Sequence, residues 1–133
     1  MLTEIQPSQL AAELLTAGKT VRLCAEGGSM RPWLKPGTAV TLEPIECSEK
    51  IRIGDVVFTI ADGRPMLHRV VRVSPILITK GDALGCFDPP PQAVLGRAVG
   101  LSSPVIALLS RTFQPFQRLL LLLGIIIWCT YDR

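Results

Sequence analysis

The chain has 133 residues, of which 48% are hydrophobic, and 14 Lys and Arg stand against 11 Asp and Glu for a net charge of +3. That length suits one domain with a real core, and the small basic excess, with 5% aromatic residues, argues against a nucleic-acid partner. The charge is uneven: residues up to Pro104 carry 11 basic and 10 acidic side chains, whereas Val105 to Arg133 carry 3 and 1.

In chain order, Pro7 to Ala17 reads as a short amphipathic helix with Leu10, Leu14, Ala11 and Ala17 on its apolar side and Gly18 as its stop. It lacks the basic lead-in and continuous apolar core of a signal peptide. From Thr20 the texture changes to short β-like runs: Val21 to Ala25, Ala39 to Leu42, Val56 to Ile60, Met66 to Val73, Ile76 to Thr79 and Val94 to Val99. Turn signals separate them, which predicts a mainly β fold, an antiparallel β domain behind a short N-terminal helix. Lys35-Pro36-Gly37 is a turn, Ala61-Asp62-Gly63-Arg64 a hairpin, and Pro89-Pro90-Pro91 a stiff extended connector. The domain is taken as residues 1–104, with residues 105–133 as a hydrophobic helical tail.

Glu26-Gly27-Gly28-Ser29-Met30-Arg31-Pro32 carries the first chemical signal. Two glycines let the main chain approach a substrate carbonyl, Met30 packs beside the serine, and Pro32 sets the chain direction. The same Gly-Gly-Ser is also ordinary turn chemistry. A serine hydroxyl needs an adjacent base to act as a nucleophile, and the chain has one histidine, His68, in Leu67-His68-Arg69-Val70-Val71. The bland alternative is a surface or hydrogen-bonded core histidine. In a strand, Met66, His68, Val70 and Arg72 share one face and Leu67, Arg69, Val71 and Val73 the other. Thr79-Lys80-Gly81-Asp82, with Asp88 six positions after the aspartate, offers carboxylates that can orient an imidazole.

Gly28-Ser29-Met30-x-Pro32, Gly54-Asp55-Val56-Val57, His68-Arg69-Val70-Val71 and Thr79-Lys80-Gly81-Asp82 with Asp88, in this order, resemble the successive boxes of the signal peptidase I family. The resemblance covers about residues 20 to 100. It is to the Ser-His-Asp subtype of the endoplasmic-reticulum and archaeal enzymes, with a relation to the self-cleaving repressor proteases. It implies a signal-peptidase-like β domain and a membrane-linked serine endopeptidase that removes signal or leader peptides after small residues. By carry-over Ser29 is the nucleophile, His68 the general base, and Asp82 or Asp88 the acidic member. Gly28 and Met30, beside the nucleophile, are assigned to the oxyanion and substrate site, with the Ser29 N–H as the named donor. Asp88 precedes a proline, which favours extended backbone at that residue and inclines the choice toward it. The sequence departs from the family where Gly27 stands at a position often held by serine, where Trp33 replaces a small polar residue, and at Ala83 and Leu84. Trp33 reads as a core filler or a membrane-facing aromatic. Lys80 matches the lysine of its own box, and His68 occupies the place of the lysine base of the Ser-Lys enzymes.

No cofactor is expected: Cys24, Cys47, Cys86 and Cys129 are scattered, which argues against zinc and against a disulfide framework and for buried or free thiols. Leu119 to Cys129 are eleven consecutive apolar residues, shorter than the ~20 of a full membrane span. They fit a helix on a partner protein, a helix lying in the membrane interface, or a short tilted span ending at Trp128 and Tyr131. Membrane association is the favoured reading, because an all-apolar helix is too adhesive for a soluble monomer. Arg111 and Arg118 on the domain side against Arg133 beyond the run place the domain on the cytoplasmic side by charge count, whereas signal peptidases proper act on the far side. A leader protease for a co-produced small peptide reconciles the two. The alternatives are a catalytically silent module that binds a hydrophobic peptide in the same cleft, and a self-cleaving protease.

Overall fold

A computed structural model of the chain describes residues 6–46 and 51–112. Helix α1 (Pro7–Thr16) starts with proline where its missing N–H costs nothing, and it ends where Lys19 N–H bonds to Leu14 O and Gly18 N–H to Leu15 O. The strands are β1 (Val21–Cys24), β2 (Ala39–Pro44), β3 (Val56–Ala61), β4 (Arg64–Arg72), β5 (Ile78–Lys80) and β6 (Ala93–Ala98), followed by helix α2 (Pro104–Thr112). They form one six-stranded sheet in the order β1-β2-β6-β3-β4-β5, with every pair antiparallel. The β3–β4 hairpin closes at Ala61↔Arg64 through Asp62 and Gly63, both at positive φ, as a two-residue turn of this hand requires.

Register decides which side chains face which layer. His68 pairs with Val57 and Val70 with Thr79, while Arg69 pairs with Val56 and Lys80. Side chains alternate along a strand, so His68, Val70 and Thr79 share one face and Arg69 and Lys80 the other. Ile51, Val57 and Val70 form a small core on the first face. The larger core joins Ala11 and Leu15 of α1 to Met30, Leu34, Val40, Leu42, Val56, Phe58 and Ala98. Each such large aliphatic or aromatic side chain, fully buried, contributes roughly 1.5–3 kcal/mol.

Two sequence readings are corrected. The buried face of α1 is Ala11 and Leu15, one helical turn apart; Leu10, expected inside, is 46% exposed. The last strand before the proline run is Ile78–Lys80 rather than Ile76 to Thr79, because register against β4 starts only after Ser74-Pro75 and Ile76 remains exposed. The chain after residue 104 is also tied to the sheet over its described part: Ala107 and Ser110 of α2 are buried, and Lys80 Nζ donates to Ser110 O (2.7 Å) and Ser110 Oγ (3.2 Å). The apolar run Leu119 to Cys129, together with Cys47 and Cys129, lies outside the described residues. Among the described residues no helix is long and apolar enough to cross a membrane.

Candidate active site

Ser29 sits in the turn that follows β1, an edge strand, while His68 lies on β4, four places along the sheet order. Coiling of the sheet brings them together: α1 contacts both β1 and β4, and residues of α1, β1 and β4 line one cleft of about 600 Å³ with Ser29 and His68 in its wall. Leu10, Val21, Leu23, Phe58, Met66 and Leu67 make much of that wall apolar.

The polar groups form a chain. Ser29 Oγ lies 3.1 Å from His68 Nε2, and His68 Nδ1 lies 2.6 Å from Asp88 Oδ2. With the proton on Nδ1, the imidazole donates to the carboxylate and presents Nε2 as an acceptor to the serine hydroxyl. His68 and Asp88 are both largely shielded, their side chains 9% and 7% exposed. Asp88 is fixed twice to β5, since its N–H donates to Thr79 O (2.9 Å) and its Oδ2 accepts from Thr79 Oγ1 (2.7 Å). Among the described residues the N–H of Ser29 makes no backbone hydrogen bond.

Asp82, the other candidate acid, is engaged elsewhere. Its carboxylate accepts from Arg69 Nε (2.9 and 3.1 Å) and Arg69 Nη2 (2.9 Å), a bidentate pair with both side chains almost fully buried. Lys80 ends β5 on the side facing Arg69 and Asp82 sits in the turn that follows, whereas Asp88 returns along Thr79 on the side facing His68. Burial pushes the Asp82 carboxyl up from its usual range, opposed by the hydrogen bonds and charge of Arg69 and by the charges of Lys80 and His68. Arg69 also donates through Nη1 to Gly54 O and Leu101 O, both 2.8 Å. Gly54 sits at φ +98, and a Cβ there would lie 2.5 Å from the Ser103 and Pro104 backbone, so only glycine lets these segments meet under the guanidinium.

The Arg69–Asp82 pair reaches Ser29 through the backbone. Ala83 N–H donates to Ser29 O (2.8 Å), and a Cβ on Gly81 would come within 2.8 Å of the same oxygen. Lys80 does not point at the serine; it is buried on the α2 face, and its only hydrogen bonds among the described residues go to Ser110. Met30 is 4% exposed and belongs to the larger core, so its side chain seats the turn, and Gly28 accepts from Arg31 N–H (3.2 Å). Trp33 is 55% exposed, which excludes the core-filler alternative. Cys24 and Cys86 are exposed free thiols.

The structure therefore brings together Ser29, His68 and Asp88 and holds Asp82 apart. Two participants carried no role in the sequence reading. Thr79 lies in the Thr-Lys-Gly-Asp box without an assigned function, and Arg69 lies between His68 and the apolar Val70-Val71, where its burial calls for an acid that the sequence does not locate. Comparison with protein-family models, curated proteins and solved structures finds no significant match to this chain.

Proposed function

We propose that the chain is a serine endopeptidase of the signal-peptidase type that cleaves signal or leader peptides by acyl transfer. The observation that carries this reading is the unbroken Ser29–His68–Asp88 chain of hydrogen bonds, 3.1 and 2.6 Å, opening onto an apolar cleft. His68 Nε2 takes the hydroxyl proton as Ser29 Oγ attacks the scissile carbonyl carbon, and the Ser29 N–H receives the developing oxyanion. The tetrahedral species collapses with loss of the amine, which leaves with the proton from His68. Water, deprotonated by the same nitrogen, then hydrolyses the ester and restores Ser29. Asp88 holds the imidazole in the tautomer that can accept. No metal or organic cofactor enters these steps.

The resemblance of the four boxes supports leader peptides as substrates. The outer edge of β1, which among the described residues pairs only with β2 and borders the cleft, suits an extended peptide. The apolar stretch at 119–129 supports a membrane-associated setting.

The test is labelling with a fluorophosphonate and mapping of the modified residue, alongside cleavage of leader peptides. Ser29 should be the labelled residue, Ser29→Ala and His68→Ala should each lose labelling and cleavage while remaining folded, and the double variant should be hardly worse than either. Peptide binding without labelling would identify a silent binding module instead. Cleavage confined to the chain's own backbone would identify a self-cleaving protease.

A further inference from the structure

We infer that Thr79 is a positioning residue of the Ser29–His68–Asp88 chain, acting through its hydroxyl on the carboxylate that orients the base. The inference rests on the catalytic reading of that chain and deepens it. Asp88 lies on a loop, between the exposed Phe87 and the Pro89-Pro90-Pro91 run, and a loop carboxylate is free to turn about its own side-chain bonds. What stops it is β5. Thr79 O accepts the Asp88 N–H at 2.9 Å, which fixes the backbone, and Thr79 Oγ1 donates to Asp88 Oδ2 at 2.7 Å, which fixes the side chain. The oxygen so held is the one that faces His68 Nδ1 at 2.6 Å.

The placement follows from the register. Thr79 pairs with Val70, one alternation along β4 from His68, so threonine and histidine point to the same side of the sheet with the carboxylate between them. Thr79 is 1% exposed, so bulk solvent does not reach it, and a β-branched side chain in a strand has little rotamer freedom to lose. One donor from Thr79 and one from His68 converge on a single carboxylate oxygen. A carboxylate oxygen accommodates two donors, and holding both leaves one orientation.

Three proteins test this: the parent, Thr79→Val, which keeps shape and β-branching without the hydroxyl, and Thr79→Ser, which keeps the hydroxyl. Two readouts are taken, steady-state cleavage of a leader peptide and the NMR resonance of the imidazole Nδ1–H. His68 is the only histidine of the chain, so that resonance belongs to it. A charge-assisted hydrogen bond of this kind predicts that Thr79→Val lowers kcat about ten- to a hundredfold with KM unchanged. In the same variant the Nδ1–H resonance should be lost to solvent exchange, and Thr79→Ser should restore both. A Thr79→Val protein with the parent's kcat and resonance overturns the inference, as does equal loss in Val and Ser variants with the resonance intact. If no protein cleaves or takes up fluorophosphonate, yet the resonance disappears in Val and returns in Ser, the positioning role stands and the peptidase reading falls.

Discussion

The two aspartates differ in what they hold, and substitution separates them. Asp88 faces the imidazole, so Asp88→Asn should leave the fold intact and lower kcat/KM by about 10⁴, because an amide neither fixes the tautomer nor stabilises the imidazolium. Asp82 neutralises Arg69 in a buried pair, and Asp82→Asn leaves that guanidinium without its charge partner. The expected cost is about 3–5 kcal/mol of stability. Urea unfolding beside peptide kinetics reads both effects. Rate loss at Asp82 without loss of stability, or stability loss at Asp88 with full rate, would reverse the assignment. Sequence spacing left the choice open because both carboxylates follow β5 within eight residues, and the side each takes depends on how the chain returns.

At the scale of elements, β5 links the face that carries Ser29, His68 and Asp88 to α2. Thr79 points to the first and Lys80 to the second, where its ammonium donates to Ser110 O and Ser110 Oγ. Burial lowers the Lys80 pKa from its usual 10.5, against the charges of Asp82, Cys86 and Asp88, which raise it. Between the lowered value and 10.5 the unfolded chain binds more protons than the folded one, so this residue makes stability rise with pH across that window. Lys80→Met should remove that rise, seen as a smaller gain in urea midpoint between neutral pH and about pH 10 than in the parent. An unchanged gain would mean that the lysine titrates alike in both states.

For the whole molecule, α2 is part of what the sheet packs against among the described residues. Ala107 and Ser110 close the core side of that helix, so a chain ending at Thr112 should keep the parent's melting temperature and lose any affinity for membranes or detergent carried by 119–129. A chain ending at Pro104 loses both Lys80 hydrogen bonds and the cover over that face. Hydrogen bonds to a charged group contribute about 1.5–3 kcal/mol, and each kcal/mol corresponds to roughly 4–8 °C in a domain of this size. Equal melting temperatures for the two truncations would show that α2 contributes nothing to the fold. Membrane sedimentation of the chain ending at Thr112 would turn attention to exposed Trp33 and Phe87.

The strands, the Asp62-Gly63 hairpin and the start of α1 were legible because they rest on local physics: alternation, turn residues with positive φ, and proline at a helix start. Ser29 and His68 were singled out from the sequence as well, and the fold brings them within 3.1 Å of each other. The division of labour between Asp82 and Asp88, the inward face of α1, the burial of Lys80 under α2 and the support of Asp88 by Thr79 were decided only in three dimensions. Each depends on strand register and sheet coiling, which bring together residues separated by up to dozens of positions, and a linear pattern records neither.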